Sequence, residues 1–178
     1  MPFEFAFLDW LYQFRNPVMN TISIFFDYAG AHGEIWIAFT LLLLLFRRTR
    51  KAGFAMAVAL VLYMAAGHFF LKPLFARPRP CDVNTAITIL VKRPHGHSFP
   101  SGHTASAFAA AFALWLQNRK LGVPALVLAA FIAFTRLYLY VHFPTDVLGG
   151  LVLGIALGAL ASWLVDSLAN KFKKKQIV

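Results

Sequence analysis

The sequence predicts an all-α bundle of membrane-spanning helices, and three observations carry that expectation. Of its 178 residues, 60% are hydrophobic and only 13% are charged, against about 25% charge in an ordinary soluble domain. The apolar residues gather in runs that approach or reach the roughly 20 residues a helix needs to cross a hydrocarbon core of about 30 Å. Glycines, prolines and clusters of Arg and Lys separate those runs. An open sheet would leave peptide groups unpaired in lipid, so helices are the spanning element. The whole of 1–178 reads as one membrane domain.

In chain order, Phe3–Phe14 mixes Phe, Leu and Trp with Glu4, Asp9 and Gln13, and Pro17–Tyr28 carries Asn20 and Asp27. The Asn16-Pro17 step separates them. Residues 1–29 therefore read as two short helices that either lie at the interface or together make an irregular sixth crossing. Met1–Trp10 has two carboxylates and no basic residue, which is not the charged start of a cleavable signal peptide. The bundle proper, 30–170, holds five transmembrane helices at about Gly30–Phe46, Ala52–Leu71, Gly102–Leu116, Leu121–Val141 and Val147–Val165. The last carries Gly150, Gly154, Gly158 and Ser162, a stripe of small residues that admits a close neighbour; packing inside the chain is preferred to a dimer face. Monomer and homodimer both stay open. Residues 171–178 form a basic tail.

The formal charge is +10, but no basic module accompanies it, so nucleic acid is excluded as a partner. The connections sort by charge instead. Arg47, Arg48, Arg50 and Lys51, then Arg119 and Lys120, then Lys171, Lys173, Lys174 and Lys175 all fall on one side by alternation. The positive-inside rule makes that side the cytoplasm, and places loops 72–101 and 142–146 on the opposite, external face. Cys81 is the single cysteine, so neither an intrachain disulfide nor a thiolate metal cluster can form, and it reads as inert.

Six of the remaining seven basic residues lie on the outer side, where three groups of residues stand out. Lys72, Arg77 and Arg79 mark a helix emerging into a loop stiffened by Pro78 and Pro80. Cations at membrane depth are costly, and guanidinium forks fit phosphate oxygens; snorkelling to headgroups is the ordinary alternative. Pro100-Ser101-Gly102-His103 precedes a helix. Ser101 suits an N-cap, Gly102 opens the first amides, and such a helix start attracts anions; alone, His103 would read as interfacial. Finally, Arg136 is followed by His142 and, across the turn Phe143-Pro144-Thr145, by Asp146. A carboxylate four residues from an imidazole can take its Nδ1–H and leave Nε2 nucleophilic, although a structural hydrogen bond is the plainer reading of that pair alone.

All three groups fall on the same face by a topology argued from loop charge, and together they resemble the type-2 phosphatidic acid phosphatase superfamily, the lipid phosphate phosphatases that share their site with vanadium haloperoxidases. The signatures match Lys72 through Pro80, Pro100 through His103 and Arg136 through Asp146, within a resemblance that spans about 52–165. Thr135 departs from the family's usual Ser but keeps a hydroxyl. The resemblance implies that Lys72, Arg79 and Arg136, with Ser101 and the Gly102 amide, bind the phosphoryl oxygens. It implies that His142 attacks phosphorus to form a phosphohistidine, that Asp146 orients His142, and that His103 protonates the leaving oxygen.

Of the seven acidic residues, only Asp82 and Asp146 clearly fall near this site by sequence, fewer oxygen ligands than a two-metal phosphatase needs. No metal and no cofactor are expected. His97 and Arg77 are expected headgroup contacts, although a solvated loop is the preferred reading of His95, His97, Lys92 and Arg93. Asp82 is expected to pair with a neighbouring arginine, and His68 either packs or faces the site. The expected partners are the bilayer and a lipid phosphate or diphosphate. Undecaprenyl diphosphate is favoured, with phosphatidylglycerol phosphate, phosphatidic acid and lipid A as alternatives. A non-catalytic lipid-phosphate binder or transporter is the competing class.

Overall fold

A computed structural model describes residues 2–30 and 33–175, and every regular element among them is helical. Helix α1 (Pro2–Tyr12) and helix α2 (Pro17–Ala29) meet at Asn16, whose Oδ1 accepts the Met19 amide at 2.9 Å while Pro17 starts the second helix. This is an ordinary cap followed by proline at the first helical position. Helix α3 (Glu34–Leu45) and helix α4 (Arg50–Tyr63) follow. Helix α4 continues as a π-helical segment (Met64–Leu71) into the short α5 (Lys72–Phe75), which stops at Ala76 with φ 45°. Helix α6 (Pro80–Val83) is one turn within the long loop. Helices α7 (Gly102–Gln117), α8 (Arg119–Tyr138) and α9 (Pro144–Lys175) complete the chain. The basic tail lies partly outside the described residues, at 176–178, and up to Lys175 it extends α9.

Helix α7 is the centre. Thr104 through Ala111 are all buried, as are Ala113 and Leu114, so this helix meets protein on every side. Its small side chains let neighbours approach closely. A Cβ on Gly150, Gly154 or Gly158 would come within 2.7–2.8 Å of the carbonyls of Ser101, Ala105 and Ala109. The α9 stripe is thus seated on α7, the packing inside the chain that the sequence favoured. Large apolar side chains point outward instead, among them Val61, Phe69, Val127, Val152 and Trp163. An outward apolar surface over an alanine- and glycine-rich centre is the inverse of a soluble bundle and suits lipid as solvent.

Three helical stretches are long and apolar enough to cross a membrane: Arg50–Val83, Arg119–Tyr138 and Pro144–Lys171. Helix α7, with 16 residues, and α3, with 12, are shorter; α2 and α3 reach the length only as a bent pair. Helix α8 ends at Tyr138, three residues before the expected Val141. Residues 139–143 leave it as a turn, with Tyr140 at φ 63°. Apolarity alone could not find that end, because Leu139, Tyr140, Val141 and Phe143 are all buried in the protein.

Ion pairs and hydrogen bonds fix the two ends. Lys51 of α4 bonds Asp166 of α9 at 2.5 Å, and Gln117 at the end of α7 reaches Ser162 and Asp166. The three basic connections therefore share one end of the bundle. The residues of the three sequence signatures lie at the other.

Candidate active site

The site begins with the start of α9. Phe143 caps that helix, Pro144 is its first residue, and Asp146 at its third position turns back so that Oδ2 accepts the Phe143 amide at 2.8 Å. This is half of a capping box, and it gives the carboxylate one anchor within the first turn of its own helix. The same Oδ2 accepts from Ser98 Oγ and faces His142 Nδ1 at 3.5 Å, while Oδ1 accepts from Arg77 Nη1 at 2.6 Å. Asp146 is fully buried and His142 nearly so.

On its other edge, His142 Nε2 lies 3.2 Å from Arg79 Nη1. A guanidinium only donates, so Nε2 is the acceptor and the hydrogen sits on Nδ1, facing Asp146 and Ser98. Burial, ahead of every other influence, pushes the His142 imidazole down to about 3; Asp146 opposes the shift, and Arg79 and Lys72 add to it. The ring is neutral at neutral pH, with its lone pair turned toward a cation. That is the state a nucleophilic imidazole needs.

The cations are held by main-chain oxygen. Arg79 donates to Gly96 O, Val141 O and His97 O at 3.1, 3.1 and 3.4 Å, and Lys72 Nζ reaches the same His97 carbonyl at 3.2 Å. His97 thus enters through its carbonyl, while its side chain belongs to an exposed residue. Ser101 occupies the N-cap of α7, but its side chain caps no amide; Oγ instead accepts from Thr104 at 3.0 Å. A Cβ on Gly102 would lie 2.7 Å from Tyr63 Oη and 3.7 Å from Lys72 Nζ, so glycine here makes room for side chains as well as for any anion.

Arg136 forms a second group with His103. Its Nε and Nη2 donate to Thr135 Oγ1 at 3.2 and 2.9 Å, so the hydroxyl at that position serves as a rest for the guanidinium, and threonine provides it as serine would. Nη1 bonds Asp27 Oδ1 of α2 at 2.5 Å, and His103 Nε2 lies 3.3 Å from the Asp27 carbonyl.

Several expectations are corrected. Arg77 is turned inward: it bonds Asp146, Thr145 Oγ1 at 2.6 Å and Glu4 Oε2 at 2.7 Å, and covers the Phe143 ring at 4.2 Å. Two carboxylates and an aromatic face hold the guanidinium in that direction. Asp82 pairs with Arg93 at 3.1 Å as expected, but both are about half exposed and tied to each other. Glu4 and Asp27, which the sequence reading did not bring near the site, are there, so counting acids by sequence position underestimated the local carboxylates. Each is bonded to a guanidinium. His68 is exposed, with its ring edge-on to Phe69, and so does not pack in the core. Cys81 is buried, with Sγ 3.9 Å from Asp82 Oδ1.

Sequence reasoning missed Glu4, Asp27 and Ser98. A lone carboxylate within an apolar helix was a signal for the first two, since such groups are retained at a cost. Nothing set Ser98 apart from any other loop serine.

Comparison with known proteins identifies the family. Residues 48–169 match the PAP2 superfamily. An undecaprenyl-diphosphatase of Sulfolobus acidocaldarius is 31% identical over 76% of this chain and 66% of its own length. A decaprenylphosphoryl-5-phosphoribose phosphatase of Mycobacterium tuberculosis is 38% identical over 87% of this chain and 83% of its own. The crystal structure of Aquifex aeolicus LpxE superposes with a TM-score of 0.71 at 27% identity, covering 89% of this chain and 94% of that one. The chain belongs to the PAP2 superfamily, among its bacterial membrane phosphatases.

Proposed function

We propose that this protein hydrolyses a lipid phosphate or diphosphate, without metal, through a phosphohistidine on His142. The observation that carries the reading is the setting of that imidazole: Nδ1 faces Asp146 and Ser98, and Nε2 faces Arg79. Lys72, Arg79 and Arg136 receive the phosphoryl oxygens and balance the charge that grows on them. Ser101 and the Gly102 amide complete the cradle. His142 Nε2 forms a bond to phosphorus as the bond to the leaving oxygen breaks, and His103 delivers a proton to that oxygen. Water then attacks the phosphohistidine, gives its proton to His103, and frees phosphate and His142. Both additional carboxylates near the site, Glu4 and Asp27, are engaged by arginines, which supports cations in the place of a metal.

The substrate we favour is undecaprenyl diphosphate, converted to undecaprenyl phosphate. Two relatives carry polyprenyl substrates in their names, and this site has cations enough for two phosphates. Phosphatidylglycerol phosphate, phosphatidic acid and lipid A are the alternatives. The reading includes five crossings, by α3, α4, α7, α8 and α9, with the site at the outer face of the inner membrane. The basic residues gathered at the opposite end support that orientation.

Phosphate release by purified protein in detergent tests the whole proposal, across a panel of undecaprenyl diphosphate, phosphatidylglycerol phosphate, phosphatidic acid and lipid A. The wild type turns over the diphosphate fastest, and His142→Ala abolishes release. Full activity in that variant would sink the nucleophile, and turnover lost to EDTA and restored by Mg²⁺ would sink metal independence. Tight lipid binding with no release from any member of the panel would favour the non-catalytic binder.

A further inference from the structure

We propose that Asp27 is a positioning residue of this active site, one that aims Arg136 at the phosphoryl group through its carboxylate and holds His103 through its carbonyl. The proposal rests on the catalytic reading of Arg136 and His103 given above.

A guanidinium has five N–H donors. In Arg136, Nε–H and one hydrogen of Nη2 go to Thr135 Oγ1, and one hydrogen of Nη1 goes to Asp27 Oδ1. One hydrogen remains on Nη1 and one on Nη2, and these are the donors left for the oxygens of a phosphoryl group. Thr135 alone leaves the plane free to swing about a single oxygen. Asp27 supplies the second fixed point, and the Arg136 side chain is only 1% exposed.

The same residue meets the proposed acid. His103 Nε2 lies 3.3 Å from the Asp27 carbonyl, which can only accept, so Nε2 carries a hydrogen there. Nδ1 is left as the nitrogen that exchanges a proton with the leaving group. The end of α2 is pressed against this ring, since a Cβ on Gly30 would lie 3.1 Å from His103 Cδ2.

Helix α2 does not depend on the site for its place. Tyr138 Oη donates to Asn20 Oδ1 at 2.8 Å and accepts the Asn16 amide at 2.9 Å, and Arg15 reaches the Tyr138 carbonyl. The helix is pinned to α8 at its start, and Asp27 arrives two turns later along a rigid rod. An alternative follows from the same geometry: a carboxylate on Arg136 could be a competitor that substrate must displace. The two roles predict opposite responses to a phosphate mimic.

The experiment uses the full chain in detergent, reading phosphate release from the lipid that the wild type turns over fastest and inhibition by orthovanadate. Asp27→Ala should lower kcat/KM by about 10- to 100-fold, the usual cost of losing a supporting partner, and weaken vanadate inhibition by a similar factor. Asp27→Asn, which keeps the volume and an accepting oxygen, should fall between. Combined with Arg136→Ala, the Asp27→Ala change should add less than about twofold, because its effect passes through that arginine.

Tighter vanadate inhibition in Asp27→Ala would overturn positioning in favour of competition. Wild-type turnover and inhibition in that variant, or an undiminished loss in the Arg136→Ala background, would equally overturn it. If Asp27→Ala fails to fold, Asp27→Asn carries the same comparison, judged by elution and thermal midpoint. A wild type that releases no phosphate indicts the function and not the positioning, which vanadate binding by calorimetry still reads.

Discussion

The two ends of the bundle use the same residue types in opposite ways. At the basic end, Lys51 and Asp166 pair at 2.5 Å with side chains 54% and 45% exposed, Arg50 Nε donates to Leu44 O, and Arg119 lies over Trp115. Water reaches these groups, so little energy rides on any one of them. At the site end, the Arg136, Arg79 and Arg77 side chains are buried or nearly so, and each is met by several acceptors. A buried guanidinium is costly unless its donors are matched, and matching fixes its direction. One end carries exposed charge screened by solvent; the other holds cations at fixed angles.

Breaking the site-end network should therefore cost most. Arg77→Ala leaves Asp146 and Glu4 without their shared cation. The expected loss is about 3 kcal/mol in stability, the lower range for stripping one partner from a buried pair, since Ser98, the Phe143 amide and His142 still hold Asp146. Phosphate release should fall about 10²-fold or more as the His–Asp geometry loosens. Arg77→Lys keeps the charge but not the fork and should fall between. Thermal midpoints in detergent and kcat/KM read both effects. An Arg77→Ala variant as stable and active as wild type would reduce this network to the standing of the surface pair.

Acid offers a subtler probe of the same end. The folded protein keeps His142 neutral until about pH 3, whereas the unfolded chain protonates it near 6.5. The folded pKa is the lower one, so stability from this group is complete above about 6.5 and declines as pH falls toward 3, by at most about 1.4 kcal/mol per pH unit. His142→Gln should make the acid limb of the midpoint-against-pH curve shallower and leave it unchanged above pH 7. Parallel curves for variant and wild type would mean that the imidazole titrates freely and is not held in the nucleophilic state.

What the sequence made legible follows chain distance. Asp146 is four residues from His142, and its carboxylate is set by the first turn of its own helix, so spacing carried the geometry. The stripe from Gly150 to Ser162 likewise writes its packing face into a four-residue repeat. The contacts of the N-terminal helices have no such trace: Asp27 reaches Arg136 across 109 positions, and Glu4 reaches Thr145 across 141. Only the oddness of a carboxylate among Phe, Ile and Leu hinted at them. The end of α8 was illegible for another reason. Leu139, Tyr140 and Val141 are apolar because Leu8, Phe143, Val91 and their neighbours cover them, and hydropathy does not separate burial in protein from burial in lipid.

The smallest expected effect sharpens the comparison from its other side. Lys51→Ala removes an ion pair of the basic end, yet both partners are about half exposed and Asp166 keeps its bond from Gln117 Nε2 at 3.0 Å. The Coulomb gain of such a pair is screened by solvent and opposed by the entropy of holding a long side chain, so the loss should be between about 0 and 1 kcal/mol. Added salt should leave the variant's midpoint closer still to that of the wild type, because screening weakens the pair only where it exists. Phosphate release should not change, since the helices that carry the substitution also carry the site, but at the far end of α4 and α9. A loss above about 2 kcal/mol, or a fall in turnover, would show that this pair clamps α4 to α9 and that the two ends are mechanically one.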